Sequence, residues 1–266
     1  MNPKRLVLLL AAAGLAFSAR GADLLGVYRD ALVSDPVFQS ARAQYQSGLE
    51  ALPIARAGYL PSVSGTASAF RNQVDTSASA RTDYNTQSYA VTLSQPVFRW
   101  QNWIAISQAE QQVLQTEATF ASAKQDLIVR VAQAYFDVLL AQDNVAVSEA
   151  QKKAISEQLA QAKRNFEVGT STIVDTLEAQ ARYDQAVAKD ISDKNDLEVK
   201  KRALQQLLGK PSDGLAPLKE ALELPTPKPA NIEDWVSAAS TSSFSVAVSR
   251  AALEIAGQEV ERAKAG

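Results

Sequence analysis

The sequence contains no cysteine and no histidine. The first absence removes disulfides, thiolate nucleophiles and cysteine-based zinc sites. The second removes imidazole ligands and imidazole acid–base catalysis. No metal site and no bound cofactor is therefore expected. Aromatic residues make up only 7% of the 266 positions, little for a compact β protein. A net charge of −2 gives no basic patch of nucleic-acid type, so nucleic acid is not an expected partner. Beyond the leader, no stretch approaches the ~20 consecutive apolar residues of a membrane-crossing helix.

What is present is mostly helix-forming. Ala, Gln, Glu, Lys and Leu dominate the middle of the chain, the composition of long helices. Residues 1–21 read as a secretory signal: Lys4 and Arg5 are followed by an apolar run from Leu6 to Phe17 and by the small residues Ala19 and Gly21, with cleavage expected after Gly21. No cysteine stands at that point to accept a lipid. The protein is expected to be exported.

Residues 22–58 predict a first helix with Leu24, Leu25, Tyr28, Ala31 and Leu32 on one face. Asp35–Pro36 should divide it and Pro53 should kink it. Residues 59–100 change period. Val63, Gly65, Ala67 and Ala69 alternate with Ser62, Ser64, Thr66 and Ser68, and Tyr89, Val91 and Leu93 alternate with Ser88, Ala90, Thr92 and Ser94. Alternation of this kind predicts two strands. The stretch between them, residues 71–86, reads as a polar loop. Strands of this length suit a transmembrane β-hairpin; on alternation alone, the edge of a soluble sandwich is the plainer reading.

Residues 101–208 predict a helical hairpin. Ile106, Val113, Phe120 and Leu127 recur every seven residues, then Val131, Val138 and Val145, with Leu159 and Phe166 in the same register. A strict seven-residue repeat marks a left-handed coiled-coil seam. The returning helix has Leu177, Ile191, Leu197 and Leu204 at its expected seam, and Asp184 at one seam position. From the rise per residue, the first arm is roughly 100 Å long and the second ~55 Å, as is the 22–58 helix. This length match predicts a double layer of one long helix and two half helices. The tip is expected near 167–173: Gly169 supplies a positive φ, and Thr170, Ser171 and Thr172 can cap the returning helix. Taken alone this is simply a turn between helices, and Asp175 is an exposed carboxylate favoured by the helix dipole. The carboxylates Asp184, Asp190 and Asp193 sit among Lys and Gln and read as a solvated surface; no enzyme is expected.

Residues 209–230 are a Pro-rich linker, expected to lie across the bundle, and 231–266 are helical again. Shifting the chain by 208 places Arg250–Ala251 on Arg42–Ala43 and "AKAG" at 263–266 on "ARAG" at 55–58. The last segment thus reads as the first helix of a second repeat, with the product expected to be truncated before a second hairpin.

The order of elements, with "VYRDALVSDPVF", "ARAGYLPSVSG", "LSQPVFRW", "VAQAYFDVLLAQDNV" and "RNFEVGTSTIVDTLEAQARYD", resembles the TolC-like outer-membrane channel proteins. The resemblance implies a mainly α fold with a transmembrane β-hairpin: a long antiparallel coiled-coil hairpin plus strands of an outer-membrane β-barrel completed by trimerisation. Each full subunit of the family gives four strands to a 12-stranded barrel. The implied function is a passive efflux or type I secretion conduit in the outer membrane, its helical part in the periplasm. The implied partners are outer-membrane lipid, a periplasmic adaptor and an inner-membrane transporter. The resemblance places Val168, Gly169, Thr170 and Ser171 at the adaptor-docking tip and Asp175 at the periplasmic gate. Family members often carry Leu after the glycine, where this chain has Thr170. The alternative is a periplasmic adaptor, itself a coiled-coil hairpin but flanked by small soluble β domains.

Overall fold

The computed structural model describes residues 22–76, 79–211, 214–218 and 226–265. The expected signal segment lies outside them, as do parts of the Pro-rich linker. The described elements run α1 (Leu24–Ser34), α2 (Pro36–Leu49), α3 (Ala51–Ala57), β1 (Ser62–Thr76), β2 (Ser79–Ser94), α4 (Trp100–Glu167), α5 (Ile173–Leu208), α6 (Ile232–Ser242) and α7 (Phe244–Lys264). They fall into two units, Met1–Ala41 with Ala123–Ala230, and Arg42–Ser122 with Asn231–Gly266. The 68-residue helix α4 belongs in part to each.

In the first unit the break between α1 and α2 is chemically determined. Asp35 ends α1, its N–H bonding the Ala31 carbonyl at 2.9 Å, and begins α2, its carboxylate accepting from Phe38 N–H at 2.9 Å. Pro36 occupies the first helical position, where no N–H is needed. Asp35 is 1% exposed, and Arg130 of α4 grips it with two donors, at 2.7 and 3.3 Å, while its Nε bonds Asp126 at 2.7 Å. Burial opposes ionisation of Asp35, but the bonds from Arg130 and from the Phe38 backbone outweigh it and hold the carboxyl below its ordinary range. Around this pair Val27, Ala31, Phe38, Leu127 and Val131 form the core. Leu25, expected on the buried face, is instead 54% exposed; the face that packs is centred on Val27 and Ala31.

The arms α4 and α5 run antiparallel, as three ion pairs between them show: Asp137–Lys200, Glu149–Lys194 and Lys152–Asp190. On α4 the sevenfold spacing is real, with Leu127, Val131, Val138 and Leu159 buried, but Phe166 is 43% exposed. On α5 the expected seam holds at its far end, where Leu204 is buried and Leu197 half-buried, and is displaced elsewhere. Leu177 and Ile191 are each 62% exposed, and Asp184 is exposed, accepting from Gln180 at 2.9 Å. The buried positions are Ala186, Asp190, Asp193, Leu204 and Leu208. Asp190 and Asp193 therefore do not lie on a solvated surface. They are tolerated because they are paired: Asp190 with Lys152 and Lys194, Asp193 with Lys189. The Lys152 hydrogen bond, against the burial cost, keeps the Asp190 carboxyl below its ordinary range. At the far end, Gly209 takes φ +65° against Ser34, and Lys210 pairs with Asp30 at 2.8 Å, so α1 rests on the end of α5. The described part of the linker is tied down beyond Lys210 as well. Ala22 and Leu215 form a parallel bridge, and the Tyr135 hydroxyl donates to the Ala216 carbonyl at 2.8 Å.

In the second unit α2 packs on the first part of α4, with Tyr45 stacked on Phe120 at 4.7 Å and Gly48 against Thr116. The break between α2 and α3 falls at Glu50, before Pro53 rather than at it. Proline at 53 removes the bond to the Leu49 carbonyl and crowds it, so the chain turns there and restarts. Helix α7 meets α4 through Gln258–Ser107 at 2.8 Å and Gln108–Glu259 at 2.9 Å. Helices α6 and α7 repeat α1 and the start of α2 at an offset of 208, and α7 then runs on to Lys264 where the first copy breaks after Leu49. Ile232–Ser242 answers Leu24–Ser34, and Phe244 answers Pro36. The N-cap Asn231 answers Asp23, and Ser243 answers Asp35 with nearly the same backbone angles, φ −67° and ψ 129° against −65° and 115°.

The strands are longer than alternation indicated. Residues 71–86 are not a loop: Arg71 pairs with Asn85, Asn72 with Tyr84, and the ladder continues to Thr76–Ser79. Polar cross-strand contacts sustain it, Asn72 to Thr86 at 2.8 Å and Arg71 to Asp83 at 3.5 Å. A backbone ladder needs no apolar face to persist, which is why hydrophobic period underestimates it. The register pairs Val63 with Leu93, Gly65 with Val91 and Ala67 with Tyr89 on one face, and Ser62 with Ser94, Ser64 with Thr92 and Ser68 with Ser88 on the other. The two faces expected from the sequence thus coincide across the ribbon.

Candidate docking tip and its charged cleft

The tip is built by backbone chemistry. Helix α4 stops because Gly169 adopts φ +78°. The Gly169 N–H then reaches back to the Phe166 carbonyl at 3.0 Å, and the Thr170 N–H to the Asn165 carbonyl at 2.8 Å. This nested pair satisfies the last carbonyls of the helix. The Thr170 hydroxyl adds a bond to the Asn165 carbonyl at 3.0 Å. Helix α5 starts at a reciprocal cap. The Thr172 side chain accepts from Asp175 N–H at 3.3 Å, while the Asp175 carboxylate accepts from the Thr172 N–H and hydroxyl, each at 2.8 Å. These bonds, that from the Thr172 backbone first, hold the Asp175 carboxyl below its ordinary range.

Of the sequence-expected residues, Val168, Gly169, Thr170 and Ser171 therefore form one turn, and Asp175 is fixed one helical turn beyond it. Thr172, expected only as a cap, is Asp175's direct partner. Val168 is 73% exposed. Ile173 and Val174, at 50% and 66%, were missed: they open α5 out of phase with its seam, and apolar residues that break phase were the available signal. With Thr170 in place of an apolar residue, Val168, Ile173 and Val174 supply the apolar surface of the turn. The Ser171 hydroxyl is shielded and has no hydrogen-bond partner.

Below the turn the two arms leave a cleft of about 200 Å³ lined by Ile155, Gln158, Asp175, Glu178, Ala179 and Arg182. Arg182 pairs with Glu178 one turn away. A larger space of about 430 Å³ continues along the same arms past Gln185 and Lys189. The cleft is charged and open, with no nucleophile beside a base and, among the described residues, no group of carboxylates placed to hold a metal.

Residues 27–210 match the family model described as outer membrane efflux protein. The chain belongs to the outer membrane efflux protein family. It is 32% identical over 257 residues to the outer membrane protein TolC of Vibrio cholerae, covering 96% of this chain and 58% of the relative. It is 33% identical over 277 residues to the alkaline protease secretion protein AprF of Pseudomonas aeruginosa, covering 100% of this chain and 58% of that one. The chain thus spans under two thirds of the length of these efflux-family relatives. Among solved structures, the outer membrane protein VceC of Vibrio cholerae superposes with a TM-score of 0.68 at 21% identity, over 91% of this chain and 58% of VceC. The open state of the Neisseria gonorrhoeae MtrE outer membrane channel gives 0.65 at 19%, over 92% and 55%. The fold is that of the TolC-like channels, mainly helical with an antiparallel strand pair.

Proposed function

We propose that the protein is a subunit of an outer-membrane export channel, a homotrimer that works as a passive conduit without catalysis. In this reading residues 59–100 form the membrane-spanning ribbon and residues 101–208 the periplasmic hairpin, while 22–58 and 231–266 are equivalent helices of two repeats joined by the linker at 209–230. One observation carries the proposal. The β1–β2 ribbon has two unpaired outer edges and an exposed apolar face of Val63, Tyr89, Val91 and Leu93. Open edges are not viable in lipid, and two strands cannot close a barrel, so strands beyond this ribbon must complete the wall, and in this reading other protomers take part. A second apolar row supports lateral packing: Val129, Phe136, Leu140 and Val147 on α4 are all exposed, at coiled-coil spacing.

At the other end, the turn Val168–Ser171 docks a periplasmic adaptor that links the channel to an inner-membrane transporter, and Asp175 acts in the gate. The rigid double cap and the exposed Val168, Ile173 and Val174 support a protein contact there. Family membership favours the channel over the adaptor alternative, as does a single open ribbon where an adaptor carries soluble β domains. Carbonate washing of membranes from producing cells tests the reading. A barrel subunit stays in the outer-membrane pellet through salt and carbonate; recovery of the protein in the wash contradicts it.

A further inference from the structure

The ribbon is longer than a spanning hairpin has to be. β1 has 15 residues and β2 has 16, where a tilted spanning strand needs ~9–11. One face changes chemistry part-way along while the ladder runs on. From the α4 end outward, that face carries Val63–Leu93, Gly65–Val91 and Ala67–Tyr89, then Ala69–Gln87, Arg71–Asn85 and Gln73–Asp83. Residues 62–69 cover roughly 26 Å of strand at ~3.3 Å per residue, and 70–76 a further ~23 Å. The opposite face shows no such switch: Ser64–Thr92 and Ser68–Ser88 are followed by Phe70–Thr86 and Asn72–Tyr84.

The polar half of the switching face is open to solvent. The Arg71 side chain is 78% exposed and meets Asp83 loosely, at 3.5 Å. Asn85 stands directly across the ladder from Arg71, Gln87 lies one same-face step nearer the apolar half, and both are exposed. A guanidinium presents a fork of N–H donors that fits phosphate oxygens. Amide side chains both donate and accept, as the hydroxyls of a sugar require. Asp83, on the same face, aims the guanidinium without burying it.

We propose that this outer half of the ribbon binds glycolipid headgroups: Arg71 takes a phosphate, and Asn85 and Gln87 take sugar hydroxyls, of lipopolysaccharide packed around the channel. The occupant follows from continuity. The apolar half of the face meets acyl chains, so its continuation meets the headgroups carried by those same chains. The helices lie on the periplasmic side, so these headgroups belong to the outer leaflet, whose lipid is a phosphorylated glycolipid. The proposal rests on the outer-membrane reading and adds the class of lipid bound and the residues that bind it.

The chain has no cysteine, so a single introduced thiol reports on one position. In the full chain extracted in mild detergent, Gln73→Cys places a thiol on the proposed face just beyond Arg71, and Asn72→Cys places one at the same height on the opposite face. Purified lipopolysaccharide at about four times its dissociation constant should slow reaction of the Gln73→Cys thiol with a water-soluble maleimide about fivefold. The Asn72→Cys thiol should react as before. Lipopolysaccharide stripped of its phosphates, or phosphatidylglycerol in its place, should protect much less. Adding Arg71→Gln to Gln73→Cys should abolish protection, whereas Arg71→Lys should keep part of it, which guards against loss through misfolding. Protection that is absent, equal on both faces, equal with phosphatidylglycerol, or unmoved by Arg71→Gln or by removal of the phosphates overturns the proposal. Carbonate extraction of membranes carrying the same variants separates the two readings. A chain that stays in the outer-membrane pellet yet shows no protection overturns the glycolipid face alone; a chain recovered in the wash overturns the outer-membrane reading with it.

Discussion

Asp35 shows how much one side chain can determine. It closes α1, opens α2 and pairs with Arg130, and is itself almost wholly buried. Asp35→Asn keeps an N-cap acceptor but leaves the guanidinium without its charged partner, and should cost roughly 2 kcal/mol in urea unfolding, the range for hydrogen bonds to charged groups. The sign of its pH dependence follows from the direction of its shift. The folded protein holds this carboxyl below its ordinary range, so the contribution is fully present above the unfolded carboxylate pKa of about 3.9 and is lost as pH falls through the lowered value. Unfolding midpoints measured below about pH 4 should fall less steeply for Asp35→Asn than for the unsubstituted chain. The equivalent break before Phe244 persists with Ser243, which makes no side-chain cap, so the backbone turn itself belongs to the repeat and the ion pair is an addition to it.

At the scale of elements, helix contact is set by what the small residues permit. A Cβ on Gly48 would lie 2.5 Å from the Thr116 side chain, whose hydroxyl is already bound to the Gln112 carbonyl at 2.8 Å. Gly48→Leu should therefore push α2 off α4 and lower stability by about 2 kcal/mol despite its better helix propensity, which thermal unfolding followed by circular dichroism would measure. The same scale explains which elements were legible beforehand. Asp35–Pro36, Gly169 and the heptads of α4 act through local geometry, and a single sequence displays them. The seam of α5 was legible only at its far end, where Leu204 is buried. Leu177 and Ile191 look like core because they are apolar, yet the packed face carries Asp190 and Asp193, made acceptable by Lys152 and Lys189 from outside any hydrophobic pattern. A helix with apolar residues on two sides gives one sequence two plausible seams. Residues 71–86 hid their strand for the opposite reason, having ladder bonds without an apolar face. At the tip, Gly169 and Thr172 were legible as turn and cap, whereas Ile173 and Val174 were not, because exposed apolar residues acquire meaning only once burial is known.

Over the whole molecule, the described parts share one property: each leaves apolar surface that the other described residues do not cover. The ribbon exposes Val63, Val91 and Leu93, α4 exposes Val129, Leu140 and Val147, and the turn exposes Val168 and Val174. The proposed function gives each surface its neighbour: lipid beside the strands, other protomers beside the helices, and a docking protein at the turn. Membership of the outer membrane efflux family makes these neighbours mutually consistent. The central claim is that other copies complete what this chain leaves open. Native mass measurement of the protein extracted from its own outer membrane in mild detergent tests it most directly. The account predicts a trimer that stays together until the detergent is made denaturing; a water-soluble monomer, obtained without detergent, would contradict it.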